Sequence, residues 1–448
     1  MRFLFSAMLL CTLSLQCTFC GEETSASPPP YLKPVPPDAL MAEPYDWELS
    51  RRAVPSVTDL VLIYGGGHHR TPYEWDRERL SDYVTYTDPD GRTQWLFDGF
   101  LFLEFKDGSG RNYTVGYEKL NARRTEWEWL LDRIFEQGKS LSALDRCIGQ
   151  EIKELGKPAF RHQIVLGLPE AIRGQKDWGK LDGREMDFSK EEDQIAATKW
   201  YIGELVERFK AAKYKHLELS GFYWVAEDTH HCAELTIPLS EYIHSEGKLF
   251  YWIPYWQAKG HEEWKRLGFD VAYQQPNHFF NHSIPDSRLD EACATARRHG
   301  MAMEFEFDEK ATAAIPNSSH DRMAAYINHF EKNDVFNSSA VAYYCGNRGV
   351  LTLNESDNPK DKALMDRLAR IIQARRYLKY GIPMKNKTRV VAHRGFWHTD
   401  GSAQNSIASL LKADQLGVYG VEFDVWMASD GVPVLNHDGW HDGYEVQS

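Results

Sequence analysis

Ala302-Met303-Glu304-Phe305-Glu306-Phe307-Asp308 alternates apolar and acidic side chains from Met303 onward. A period of two is that of a β-strand, and it puts Glu304 and Glu306 on one face. Amphipathic helical patterns flank the run, Arg288 to His299 before it and Arg322 to Lys332 after it. The same strand-and-helix unit recurs along the chain. Seven further strands are expected at Leu60 to Tyr64, Gly99 to Phe105, Gln163 to Leu168, Leu217 to Tyr223, Leu249 to Ile253, Asp270 to Tyr273 and Ala340 to Tyr344. Helical patterns at Glu126 to Phe135 and Lys190 to Ala212 lie between them, and Lys360 to Tyr380 closes the series before Gly381-Ile382-Pro383. Eight such units predict an α/β fold, a TIM-like (β/α)8 barrel. The long gap between Phe105 and Gln163 leaves room for a misassigned strand.

Barrels of this kind keep their chemistry at the C-terminal strand ends. Those ends are rich in carboxylates and aromatics: Tyr64 and His68-His69-Arg70, Glu104, Glu170, Trp224 and Glu227, Trp252, Tyr255 and Trp256, Gln274, Gln275, Asn277 and His278, Glu304, Glu306 and Asp308, then Tyr343 and Tyr344. Carboxylates on opposed strands framed by flat rings are what glycoside hydrolysis needs: one acid, one base or nucleophile, and apolar platforms for sugar faces. Glu227 and Glu306 are the expected catalytic pair, with Glu304, Trp224, Trp256 and His68 as substrate contacts. The competing reading pairs Glu304, Glu306 and Asp308 with buried Arg or Lys as structural ions, and the tryptophans with the core. Adjacent histidines rarely ligate one ion, so His68-His69 points to ligand hydrogen bonding rather than to a metal.

The stretches Asp98-Gly99-Phe100, Gly221 to Glu227 and Met303 to Asp308 resemble the domain of unknown function 4855 over about Val57 to Ile382. The resemblance implies an exported, glycosidase-like barrel with no cofactor and no assigned catalytic residue. In a large group of glycosidase barrels the acid/base follows the fourth strand and the nucleophile ends the seventh, positions similar to Glu227 and Glu306.

A second chemistry begins at His393-Arg394-Gly395 and continues through Gln404-Asn405-Ser406, Glu422-Phe423-Asp424-Val425 and Asn436-His437-Asp438. Arg389 to Ala392 reads as a strand, Ser406 to Gln415 as a helix capped by Gly417, Val418 to Met427 as a second strand, and Val432 to Asn436 as a third. Two carboxylates suit Mg²⁺ or Ca²⁺, an arginine neutralises a phosphate, and two histidines can move protons. The stretch resembles the start of the glycerophosphodiester phosphodiesterase family, which acts in lipid metabolism as a phosphoric diester hydrolase on a TIM barrel. That resemblance implies His393 and His437 as an acid/base pair, Arg394 as a phosphate contact, and Glu422 and Asp424 as metal ligands. Gln404 stands where Glu is usual. The expected architecture is the first βαββ portion of a second, incomplete TIM-type barrel, with an open edge, an uncovered apolar face and no activity in this form.

The chain has 52 Lys and Arg against 65 Asp and Glu, a net charge of −13. With acidic groups spread throughout, nucleic acid is not an expected partner; the expected partners are a glycan or a glycerophosphodiester. Met1-Arg2 followed by Phe3 to Leu15 matches a secretion signal and is too short to span a bilayer. The expected protein is exported: periplasmic, secreted, or a cell-surface lipoprotein anchored through Cys17 or Cys20, cleavage near Gly21 being the alternative. Expected domains are a signal peptide at 1–20, a Pro-rich linker at 21–53, the barrel at 54–382 and the phosphodiesterase segment at 388–448. Cys147, Cys232, Cys293 and Cys345 are widely spaced, which indicates neither a zinc motif nor a disulfide framework. The main reading is an exported hydrolase; the alternative is a non-catalytic glycan-binding surface protein.

Overall fold

A computed structural model describes residues 57–65, 74–380, 389–397, 401–416, 418–441 and 444–446. The signal and linker, His68 and its neighbours, Gly381 to Pro383 and Gly417 lie outside these residues. Eight parallel strands close into a barrel: β1 Asp59–Tyr64, β2 Gly99–Leu103, β3 His162–Leu168, β4 Leu217–Trp224, β5 Leu249–Trp252, β6 Val271–Gln274, β7 Ala302–Glu306 and β8 Val341–Tyr344. Each pairs with its sequence neighbour, and β1 pairs with β8 through Asp59–Val341 and Leu60–Ala342. All eight strand expectations therefore hold. Between Phe105 and Gln163 there is no ninth barrel strand, but a short ladder of Arg111–Asn112 with Leu120–Asn121 and two helices.

Both faces of these strands are buried, as parallel strands require. One set of strand residues, including Phe102, Leu166, Trp224, Trp252 and Phe305, shares a core cluster with helix residues such as Leu130, Ile202 and Met323. Those side chains face outward, into the layer between sheet and helices. Their alternates, including Leu62, Leu103, Val165, Tyr223, Tyr251 and Tyr273, form a separate cluster inside the barrel. A register shift between Leu219 and Gly221 interrupts β4. A Cβ on Gly221 would stand 2.0 Å from the Leu249 carbonyl oxygen, so the bulge admits only glycine there.

The β1–β8 seam is fastened at the end opposite the mouth. From α3 (Pro359–Tyr380), Arg375 donates to Asp59 at 2.8 Å, to the Ser339 carbonyl at 2.9 Å and to the Thr58 carbonyl at 3.1 Å. Tyr343 donates to the same Asp59 oxygen at 2.8 Å. Two earlier helices matter for the site, α1 (Ser287–His299) and α2 (His320–Lys332).

The C-terminal segment departs from a run of parallel strands. β9 (Val391–His393) and β10 (Gly420–Glu422) pair in parallel, but the expected strand Val418 to Met427 breaks at Phe423-Asp424. β11 (Val425–Met427) then turns through Ser429 to Gly431 and pairs antiparallel with β12 (Pro433–Leu435). Asp430-Gly431 is turn chemistry that joins adjacent strands, and the hairpin it closes prevents the third strand from crossing over. Large apolar side chains stand exposed along this segment, among them Ile407 at 76%, Trp440 at 61% and Val425 at 60%.

Candidate active site

Glu304 and Glu306 point into the barrel because they alternate with the outward Met303, Phe305 and Phe307. Both are nearly fully buried, and no Arg or Lys pairs with either among the described residues. The structural-ion reading therefore fails for them; buried carboxylates without cations mark function more often than stability. Glu227, three residues beyond the outward Trp224, faces the same interior and is half-buried at the mouth.

A chain of side-chain amides joins Glu227 to Glu306. Gln275 Nε2 donates to Glu227 Oε1 at 2.7 Å and to the Ile253 carbonyl at 2.9 Å. Asn277 Nδ2 donates to Gln275 Oε1 at 2.7 Å and contacts Glu306 Oε1 at 3.3 Å. Asn277 sits at φ 49, the left-handed region, and its Oδ1 accepts from the Trp256 backbone N–H at 2.6 Å. Asn tolerates that conformation better than other side chains with a Cβ, which ties residue choice to backbone shape. The other oxygen of Glu306 accepts from the Tyr326 hydroxyl on α2 and from the His278 N–H at 3.3 Å. The second oxygen of Glu227 meets the Tyr117 hydroxyl at 3.3 Å, and the Tyr117 ring stacks on Phe105 at 4.6 Å.

Electrostatics divides the roles. Burial, reinforced by the negative charge of Glu306 and then Glu227, holds the Glu304 carboxyl well above the usual carboxylate range. Burial also raises Glu306, to about 7; donors at Tyr326, His278 and Asn277 pull it back down, and Glu227 pushes it up. Near neutral pH the buried pair thus holds a proton on Glu304, while Glu306 titrates.

The strand-end aromatics need correction. Trp224 is 1% exposed, faces outward and meets Phe250 edge to face. Trp252 is buried the same way, stacked on Phe269 with its Nε1 on the Ala226 carbonyl. Neither is a sugar platform, because alternation turns both away from a mouth that Glu227 faces. Trp256 is half-buried with the Arg288 guanidinium over its ring at 4.7 Å, so one face is covered. Among the described barrel residues the exposed rings are Tyr117, Tyr255 and Phe280, the last edge-on to Tyr344. Glu104 alternates outward, and Glu170 is spent on Thr114 and the Val115 N–H at 2.7 and 3.1 Å. Tyr117 and Tyr326 were not singled out in the sequence. Tyr117 lies in the aperiodic gap, and Tyr326 sits where helical spacing reads as core.

In the C-terminal segment, the Arg394 backbone N–H donates to Glu422 at 3.1 Å, and its guanidinium lies 3.4 Å from Asp424 and 2.9 Å from Gln404. Asn405 is held to Asp424 at 3.1 Å, and His393 lies 3.8 Å from Glu422. Four of the five expected site residues thus gather, together with Asn405, and Gln404 joins them through Arg394. His437 instead contacts Asp438 at 2.8 Å. The donors are those of an oxygen-seeking cation, but among the described residues two carboxylates face the group, fewer than the six or more oxygens Mg²⁺ or Ca²⁺ takes.

A family model described as a domain of unknown function (DUF4855) matches residues 59–370, and one described as the glycerophosphoryl diester phosphodiesterase family matches residues 393–443. Glycerophosphodiester phosphodiesterase 1 of Rattus norvegicus and that of Mus musculus are each 39% identical over 67 residues, which cover 15% of this chain and 19% of theirs. The chain therefore spans about a fifth of the length of these curated relatives. Among solved structures, a Bacteroides thetaiotaomicron protein provisionally described as an alpha-L-fucosidase is 14% identical with a TM-score of 0.38, covering 71% of this chain and 93% of that one. The tryptophan synthase alpha-subunit of Pyrococcus furiosus is 10% identical with a TM-score of 0.32, covering 71% and 98%. Likeness at that level carries no functional information.

Proposed function

We propose, for a chain that belongs to the DUF4855 family of domains of unknown function, that the barrel mouth hydrolyses glycosidic bonds. The observation that supports this most is a buried pair of carboxylates without cations, Glu304 and Glu306, the latter linked through Asn277 and Gln275 to Glu227 at the mouth. Glu227, half-buried beside Tyr117, is the proton donor to the leaving oxygen. Glu306, whose two oxygens both accept hydrogen bonds, is the base or nucleophile at the anomeric carbon. Glu304 stays protonated and limits the charge its neighbour must bear. Tyr117, Tyr255 and Phe280 supply the flat surfaces that sugar rings stack on. Glu227→Gln and Glu306→Gln are each expected to abolish glycan cleavage with the circular dichroism spectrum unchanged; full activity in both variants refutes the proposal. Retained sugar binding without cleavage in the wild-type chain would favour the alternative, a non-catalytic glycan-binding protein.

A second reading rests on residues 393–443, where His393, Arg394, Asn405, Glu422 and Asp424 converge. This segment would contribute to phosphodiester hydrolysis, Arg394 meeting the phosphate, and Glu422 and Asp424 supplying two of the ligands for Mg²⁺ or Ca²⁺. When bound, such an ion neutralises phosphate charge. Metal-dependent hydrolysis of glycerophosphocholine by the purified chain would support this reading, and no hydrolysis at saturating Mg²⁺ or Ca²⁺ would end it.

A further inference from the structure

We propose that His261, Glu262 and His299 form a binding site for one divalent transition metal ion, Zn²⁺ foremost, on the flank of the barrel. One nitrogen from each histidine and one oxygen of Glu262 all lie within 4.8 Å of one another. His299 ends α1, the helix that returns the chain to the start of β7, so the group stands away from the mouth and its carboxylates.

Two observations beyond proximity point to a ligand. First, His261 Nδ1 lies 2.6 Å from the Ala258 carbonyl, which can only accept. Nδ1 must therefore carry the proton, and neutral His261 presents Nε2 as a lone pair. A backbone carbonyl on the far nitrogen is the arrangement that orients metal-ligating histidines. Second, the two imidazoles are borne on backbone that is fixed in place. Gly260, at φ 92, leads into the short turn His261–Glu263, and a Cβ there would stand 2.2 Å from Thr229 Oγ1. Trp264 Nε1 then donates to the His299 carbonyl at 2.9 Å, tying this turn to the end of α1.

Glu262 supplies the adjustable arm. Its side chain is exposed, and its oxygen lies 3.8 Å from His299 Nε2. Tetrahedral bonds near 2 Å put ligand atoms about 3.3 Å apart, so from separations of at most 4.8 Å the three side chains must close by up to about 1.5 Å on binding. Two imidazoles and one carboxylate suit Zn²⁺, Co²⁺ or Ni²⁺ and disfavour Mg²⁺ and Ca²⁺. Bound there, the ion would pin the segment between β5 and β6, which lacks a full helix, to α1. The ion's role is mechanical and does not depend on the reaction at the mouth.

Calorimetric titration of the full chain with ZnCl₂ after chelator treatment tests this, with thermal melting in parallel. His261→Ala and His299→Ala are each expected to weaken one Zn²⁺ site by roughly 100-fold or more and to remove the melting-temperature gain, while Glu262→Ala weakens it less. The double variant Glu422→Gln, Asp424→Asn should keep that site, which separates it from the C-terminal carboxylates. In wild type, Co²⁺ should give visible absorption typical of low-coordinate nitrogen and oxygen ligation. The proposal is overturned if wild type binds no Zn²⁺, or if the histidine and Glu262 variants bind it as wild type does.

Discussion

The hydroxyl of Tyr326 donates to the carboxylate of Glu306 from a helix packed on the outside of the barrel. That donor is the largest of the influences that lower the Glu306 pKa against burial. Tyr326→Phe should therefore raise that pKa above its value of about 7. Because the proposed base works ionised, the acidic limb of the pH–rate profile should move to higher pH while the alkaline limb stays put. A profile of kcat against pH in both proteins checks this.

Asn277→Gly keeps the left-handed backbone accessible and removes the amide that links Gln275 to Glu306. Misplacing a reacting group by about 1 Å can cost on the order of 100-fold in rate. A fall of that size in kcat is expected, together with a melting temperature lowered by a few degrees through the lost Trp256 cap; an unchanged kcat would mean the amide chain does not position the carboxylates.

Stability should depend on pH through the same residues. Glu306 is raised from 4.5 to about 7 in the folded chain, and Glu304 is raised as well. Groups with raised folded-state values stabilise fully below the unfolded pKa and lose that contribution as pH rises through the folded one. The melting temperature should fall between about pH 4.5 and pH 7, by roughly 5 °C. Glu306→Gln should flatten that slope, which differential scanning calorimetry at several pH values can read.

Trp224→Ala separates packing from recognition. A wholly buried ring in the helix-facing layer predicts a loss of about 3 to 5 kcal/mol in stability by urea titration. Under conditions where the variant remains folded, its affinity for any glycan should match that of wild type. Tyr117→Ala should do the opposite, weakening glycan binding with little effect on stability, since its ring is exposed.

Most of the barrel was legible because parallel strands covered on both sides read as unbroken apolar runs, and eight such runs alternated with amphipathic helices. Glu304 and Glu306 were legible for a related reason: period-two spacing alone puts them on one face. The same rule would have excluded Trp224, since residues 224 and 227 are an odd number apart and cannot share a face. Proximity to a strand end is a weaker signal than alternation. Tyr326 was hidden because its helical spacing is indistinguishable from that of a core residue, and its hydroxyl finds Glu306 only through tertiary packing. The hairpin after Asp424 was hidden by the continuity of the apolar run, although Ser429-Asp430-Gly431 marked where the chain turns back.

Arg375 breaks this pattern of local legibility, since its partner Asp59 lies 316 residues away. Removing the guanidinium alone strands a buried carboxylate, so Arg375→Ala should cost about 3 to 5 kcal/mol, whereas Asp59→Asn with Arg375→Met should cost much less. Urea denaturation of the two variants distinguishes these outcomes.

The position of that clamp also has a consequence for how the protein is made. During synthesis β1 emerges first, yet its β8 edge and the charge on Asp59 stay uncovered until nearly all of the barrel has left the ribosome. Long-range closure of this kind is slow because a large loop must be ordered before any contact compensates for it. The first strand of this barrel is thus the last to be sealed, and the interval before Arg375 arrives is when the nascent chain is most exposed to mispairing along that edge.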